Sequence, residues 1–304
     1  MHYLFESQSP VLAQQTLGSV ETLSFSGLGL TPIDCAVLSH VIRLCDTIKD
    51  LDLESCHIQC EGLQRLGPAL HKCQCLRLGD NDLGDSGVKL ASAALRHPDC
   101  KIHTLRLERV GLTDSGAEDL VSALSTNHTV TWLDLSGNKL GNSGVKLVSA
   151  ALRNPDCKIQ RLRLMDVGLT DSGAEDLVSA LSTNHTVTLL WLSGNKLGDS
   201  GVKLVSAALT NPDCKIQRLW LMDVGLTDSG AEDLVSTLST NRSLTGLYLT
   251  DNSLTDRCVP ALRQLILNLP RLEQIKLEGN KFSATGEKKL RSLQERRPGL
   301  SVDM

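Results

Sequence analysis

Six thiol and imidazole side chains crowd one stretch of the chain: Cys56, His57, Cys60, His71, Cys73 and Cys75. Cysteine and histidine are the ligands zinc prefers, so a metal site is the first chemistry to weigh. Their spacing forms no pair of CxxC knuckles, and Cys56 falls at a repeat position with a structural role of its own. No metal is expected. Cys100, Cys157 and Cys214 recur every 57 residues. Two repeats apart on a sheet means about 9–10 Å, beyond the reach of a disulfide, so these three are read as buried apolar fillers. A hydrolytic triad needs a serine, a histidine and an acid converging in a cleft. His128 and His185 instead sit at copied helix-end positions. The Glu118-Asp119 pair and its copies begin helices, where acids suit the helix dipole. The glycine-rich run 194–201 lacks the Lys-Ser/Thr end of a phosphate-binding loop. The residues therefore point to no catalytic group, no cofactor and no enzyme.

Composition limits the class. The 304 residues are 41% hydrophobic but only 3% aromatic, so small aliphatic side chains must fill the interior. Stacked repeats are built that way. A net charge of −4 gives no field for nucleic acid or an acidic bilayer. No apolar run approaches the roughly 18 residues of a membrane-spanning helix. The first residues, Met1 to Glu6, lack the basic start and apolar stretch of a secretion signal. The ten cysteines are then read as reduced thiols, which implies a cytoplasmic protein. The sequons at Asn127, Asn184 and Asn241 are copies of one repeat position, and no glycan is expected on them.

Self-similarity organises everything else. Residues 143–188 match 200–245 at 40 of 46 positions, and match 86–131 equally well. Each 57-residue unit splits into halves anchored by an apolar-x-apolar core. The cores begin at Leu23, Leu51, Leu76, Leu105, Leu133, Leu162, Leu190, Leu219, Leu247 and Ile275, which makes ten repeats. Such a core is a short strand, with the anchoring residues facing inward and those between them facing out. A turn follows, carrying Asn81, Asn138, Asn195, Asn252 and Asn280 in five of the repeats. A buried asparagine there can satisfy backbone groups of neighbouring turns. Cys56, Val110, Val167 and Val224 take its place in the others. A helix comes next. Ser115/Glu118, Ser172/Glu175 and Ser229/Glu232 have the spacing of a capping box. Leu120, Val121 and Leu124 form a buried stripe, and Asn154-Pro155-Asp156 is a stop. The expected fold is an α/β right-handed solenoid of 28/29-residue β-turn-α repeats. Strands about 4.8 Å apart and helices about 10 Å apart would curve it into a horseshoe, strands concave and helices convex. Residues 21–304 form the solenoid, and 1–20 read as an atypical N-terminal cap or the remnant of a preceding repeat.

The alternating LxLxxNxL and LxLxx[CV]xL halves resemble the ribonuclease-inhibitor class of leucine-rich repeats over roughly residues 20–304. The runs at 198–204 (Gly-Asp-Ser-Gly-Val-Lys-Leu) and 154–158 (Asn-Pro-Asp-Cys-Lys) look most like the C-terminal repeats of vertebrate NACHT-domain NOD-like receptors. That resemblance implies a ligand-sensing or autoinhibitory region of a cytosolic innate-immune receptor. Its partner would be a protein ligand or the receptor's own nucleotide-binding domain. The alternative is a stand-alone inhibitor that sequesters an enzyme. Ribonuclease inhibitor itself is far richer in cysteine. A third reading is a scaffold that uses its convex helices.

Binding on a solenoid belongs to the concave face. The partner-binding residues expected there are Arg106, Trp132, Asp134, Arg161, Arg163, Trp191, Arg218, Trp220 and Tyr248. Trp191, Trp220 and Tyr248 hold one strand position in three successive repeats and should stack as a ladder. Between the near-identical copies, Thr104 becomes Arg161, Glu108 becomes Met165, Asp134 becomes Trp191 and Arg163 becomes Trp220. All four changes fall on this face, where aromatic and arginine side chains supply hot spots. Acidic Asp50, Asp52 and Glu54 precede a basic stretch through Arg77, Arg106, Arg161, Arg163 and Arg218. Such a gradient could orient a partner.

Overall fold

A computed structural model describes residues 22–304. The expectation for residues 1–20 lies outside them. The described chain forms two compact units. The first holds residues up to Leu140 together with Asp156–Ile159, and the second holds Gly141–Pro155 and Gln160–Met304.

The first unit alternates strand and helix: β1 (Thr22–Ser24), α1 (Pro32–Leu44), β2 (Ile48–Asp52), α2 (Cys60–Leu70), β3 (Cys73–Arg77), α3 (Gly84–Leu95), β4 (Thr104–Arg106), α4 (Asp114–Leu124) and β5 (Trp132–Asp134). The second continues with α5 (Gly141–Leu152), β6 (Arg161–Arg163), α6 (Asp171–Leu181), β7 (Leu189–Trp191), α7 (Gly198–Ala208), β8 (Arg218–Trp220), α8 (Asp228–Leu238), β9 (Gly246–Tyr248), α9 (Val259–Asn268, after a 3-10 turn at Asp256–Cys258), β10 (Gln274–Lys276), α10 (Ala284–Arg296) and β11 (Ser301–Asp303). Within each unit the strands pair in chain order and in parallel, core residue against core residue. The fold is thus the α/β leucine-rich-repeat solenoid. The eleventh strand was not expected. Val302 pairs with Ile275 there, but its repeat ends with the chain and shows only a fragment of the motif.

The anchoring leucines are sealed. Leu51, Leu76, Leu105, Leu133, Leu162, Leu190, Leu219 and Leu247 are fully buried. Each is worth about 1.5–3 kcal/mol of burial. The turn asparagines act as expected. Asn138 Nδ2 donates to Leu107 O (2.7 Å) and Leu135 O (2.8 Å), and its Oδ1 accepts from Val110 N (3.1 Å) and Leu112 N (3.0 Å). Asn195 repeats this with Leu164, Leu192, Val167 and Leu169. Asn81 and Asn252 do the same, and half-buried Asn280 makes a reduced set. Asn81, Asn138, Asn195 and Asn252 therefore bind their own turns to the valine- or cysteine-type repeat before them, and Asn280 binds its turn to the repeat of Asn252.

The opposite joint, from an asparagine-type repeat to the next, is closed by a side chain at the helix start. Asp85 accepts from Thr113 N and Thr113 Oγ1, both at 2.8 Å. Asn142 accepts from Thr170 N at 3.0 Å and donates its Nδ2 to Thr170 Oγ1 at 2.9 Å, and Asp199 accepts from Thr227 N and Oγ1 at 2.8 and 2.6 Å. This corrects the capping-box expectation. The cap is Thr113, Thr170 or Thr227, one residue before the helix, while Ser115, Ser172 and Ser229 lie within the first turn. The following glycine is required: a Cβ at Gly116, Gly173 or Gly230 would collide with Asp85, Asn142 or Asp199.

The sequon asparagines form a second ladder. Asn127, Asn184 and Asn241 are buried, and donate Nδ2 to the helix-end carbonyls of Leu95 (3.1 Å), Leu152 (3.0 Å) and Leu209 (2.9 Å). A glycan would need that same nitrogen in water, so the recurring asparagine has a packing cause. All ten cysteines are unbridged. Cys157 and Cys214 are buried as expected, but Cys100 is only half-buried. Burial pushes the Cys73 thiol up to about 12 and the Cys35 and Cys75 thiols up to about 11. They are poor nucleophiles and poor metal ligands in that state. No metal-holding group of His, Cys, Asp or Glu occurs among the described residues.

Candidate functional site

The residues expected to bind a partner divide between the units. Arg106, Trp132 and Asp134 belong to the first, on β4 and β5. Arg161, Arg163, Trp191, Arg218, Trp220 and Tyr248 belong to the second, on β6 to β9.

In the first unit several charges on the open face are ion-paired. Arg77 forks onto Asp50, with Nε–Oδ1 at 3.1 Å and a second nitrogen to Oδ2 at 2.8 Å. Arg106 lies 3.0 Å from Glu54 and also bonds Glu108. Arg109 grips Asp80 at 2.5 and 2.6 Å. Asp50 and Glu54 of the acidic cluster are thus ion-paired with Arg77 and Arg106 of the basic stretch. Arg77 reaches past its register partner Asp52 to Asp50, the register partner of Cys75, a diagonal contact between adjacent strands. The carboxylate of Asp50 holds the Arg77 guanidinium proton more firmly than usual. Glu108 is 5% exposed, and burial, opposed by Arg106, leaves its carboxyl above the ordinary range. Asp134 is also buried, with Oδ1 accepting from Ser136 N at 3.0 Å. That contradicts its placement among solvent-facing contact residues. The side chain bonds its own turn.

The second unit is different. Trp191, Trp220 and Tyr248 are directly in register on β7, β8 and β9. Their rings stack in sequence, 4.0 Å between centroids at 13° for the tryptophans and 4.5 Å at 5° for Trp220 and Tyr248. At each strand one alternate side chain must leave the sheet on the open side, and the strand spacing of about 4.8 Å is close to ring-stacking distance. The Arg163 guanidinium carbon lies 5.6 Å from the Trp191 ring centre, extending the stack with a cation. Exposed Arg161 and Arg218 flank the ladder one column over, on either side of Leu189.

The ladder is closed at its far end. Tyr248 is only 6% exposed, and its hydroxyl donates to Gln274 Oε1 at 3.0 Å. Gln274 Nε2 in turn donates to Asp303 Oδ2 at 2.8 Å. Tyr248 is therefore a buried end-stop, and the half-buried tryptophans present the accessible rings. Gly246 makes this possible. A Cβ there would stand 3.0 Å from the Tyr248 ring and 3.1 Å from Arg218 Cγ. Gln274 and Gly246 were not expected as site residues. The signal available was the glycine itself, the one residue without a side chain in the column Arg161, Leu189, Arg218, Gly246, Gln274.

A repeat architecture with leucine-sealed strands and two asparagine ladders is the leucine-rich-repeat fold, and the Leucine Rich repeat family pattern matches residues 45–67, 72–90, 126–149 and 183–206. Within that class, the chain is homologous to the repeat regions of the NACHT, LRR and PYD domains-containing proteins. It is 38% identical over 228 residues to protein 3 of that series from Rattus norvegicus, covering 75% of this chain and 22% of the relative. Against protein 12 from Homo sapiens it is 40% identical over 216 residues, covering 70% and 20%. Against protein 2 from Homo sapiens it is 35% identical over 276 residues, covering 90% and 26%. The chain thus spans between a fifth and about a quarter of the length of these relatives.

Proposed function

We propose that this chain is a non-enzymatic protein-binding module that engages its partner through the open strand face of the second unit. The observation that carries this reading is the three-ring stack Trp191–Trp220–Tyr248, edged by Arg161, Arg163 and Arg218. A solenoid needs no aromatic on its open face for stability, whereas tryptophan, tyrosine and arginine dominate binding hot spots. In line with its relatives, the module senses a ligand or holds a receptor inactive, and works in the cytoplasm. Its partner is a protein ligand or a receptor's own nucleotide-binding domain. Among the described residues no helix is long and apolar enough to cross a membrane.

The test is affinity capture from cytosol with the intact chain and the Trp191→Ala/Trp220→Ala variant side by side. Circular dichroism must first show that both are folded. A protein retained by the intact chain and lost from the variant supports the reading. Equal capture by both overturns it and moves attention to the helix side.

A further inference from the structure

The second unit has a hollow of about 310 Å³ on the rim where helices hand over to strands, between the loop after α7 and the loop after α8. Lys215, Arg242 and Arg271 line it, with the polar side chains of Asn211, Thr240 and Ser243. No carboxylate and no aromatic ring is part of the lining. Lys215 and Arg271 form no ion pair among the described residues. One terminal nitrogen of Arg242 is held by Ser239 O (3.2 Å) and Asn241 O (2.9 Å), which fixes the head group and leaves its other donors for a ligand.

The chain contains its own comparison. At the position of Arg242 the sister repeats carry His128 and His185. At the position of Lys215 the next repeat carries Ser243 and the one after it Arg271, each four residues before its strand core. This rim therefore gains a permanent, forked guanidinium where the other copies have an imidazole. Three cations around one concave space, with hydroxyl and amide donors between them, match a multiply charged anion. The volume lies at the low end of small-ligand sites.

We propose that the Lys215–Arg242–Arg271 hollow is a binding site for a diphosphate group, either free or carried by a nucleoside diphosphate. With no ring in the lining, a base has nothing to stack on, and recognition rests on the phosphates alone. The site is independent of the aromatic ladder.

The test is isothermal titration of the intact chain at about 0.15 M salt, near-physiological screening, with pyrophosphate, ADP and sulfate. The variants are Arg242→His, Arg271→Gln and the pair together, with Lys89→Gln on the helix side of the first unit as control. Histidine already occupies the matching position in two repeats, so Arg242→His should fold. The expected result is one saturable site for pyrophosphate, with ADP within about twofold, sulfate weaker, and Lys89→Gln unchanged. Each loss within the hollow should weaken binding by about tenfold or more, since a charge-assisted bond is removed. Without ligand, the unfolding midpoint should not move. No saturable binding, affinity unchanged in the double variant, loss equally large in Lys89→Gln, or binding of ADP but not pyrophosphate would overturn the proposal.

Discussion

Replacing Asn195 by alanine should weaken the second unit more than its size suggests. The amide of Asn195 makes four good bonds: Nδ2 to Leu164 O at 2.7 Å and Leu192 O at 2.8 Å, and Oδ1 from Val167 N at 3.2 Å and Leu169 N at 3.0 Å. Asn195 itself is 1% exposed, so none of these four backbone groups can turn to bulk water. An orphaned buried group costs about 1–3 kcal/mol, which gives an upper range well above 4 kcal/mol for four. The hole left by the amide is polar and could admit one water, which would recover part of that. The expected loss is about 3 kcal/mol, a large share of the roughly 5–15 kcal/mol that keeps a domain folded. Urea unfolding followed by circular dichroism gives the total. Amide hydrogen exchange gives the location, because Val167 N–H and Leu169 N–H should lose protection first. Asn195→Val should behave like the alanine variant, although valine is the natural residue in the alternate repeats, because it offers no bonds to these groups. A loss below about 1 kcal/mol with both amides still protected would refute the view that these asparagines hold the paired repeats together.

Gly246→Ala should tilt the Tyr248 ring out of the stack, costing about 1–3 kcal/mol by overpacking and changing the near-ultraviolet circular dichroism of the coupled rings; an unaltered spectrum would contradict the close packing of Gly246 against Tyr248. Glu108 sits in the folded chain with its pKa raised above the ordinary 4.5, burial being the main cause. Below pH 4.5 both folded and unfolded states hold that proton. As pH rises the unfolded chain releases it first, so this carboxyl's contribution to stability falls until its folded pKa is passed. Glu108→Gln should remove that decline and be at least as stable as the natural chain at pH 7 in urea titrations, and a less stable variant there would contradict the assignment. Asp228 shows the reverse sign: burial raises its carboxyl, but two bonds from Thr255 outweigh this and leave it below the usual 3.8. Its contribution is present above the unfolded value and lost as pH falls through the folded one, so Asp228→Asn should flatten the acid limb of the pH–stability curve.

The strand cores and turn asparagines were readable because each depends on residues a few positions apart. Period-two leucines specify a strand, and an asparagine three residues after the last core leucine specifies the turn. The Trp191–Trp220–Tyr248 ladder was readable for a related reason: a repeat turns a fixed spacing into a fixed register. What escaped were contacts between repeats whose partners lie one or two repeats apart and differ from copy to copy. The Asp85–Thr113 bond needs the offset of stacked helix starts, which no local pattern carries. The Arg77–Asp50 and Arg106–Glu54 pairs required knowing that long side chains reach diagonally across strands. The burial of Tyr248 depends on neighbouring side-chain size, with Gly246 packed against its ring.

The tryptophans allow the binding claim to be tested directly. There are three in the chain, and Trp132→Phe leaves only Trp191 and Trp220 as reporters. Titrating the captured partner into that variant while recording tryptophan emission should give a saturable shift, with the affinity of the intact chain. The same titration of Trp191→Ala/Trp220→Ala, followed by calorimetry, should show binding weakened by about a hundredfold, as expected when two hot-spot residues are lost. A partner that binds with unchanged affinity to the double variant, and leaves the emission of Trp191 and Trp220 untouched, would contradict the assignment of this face as the binding surface.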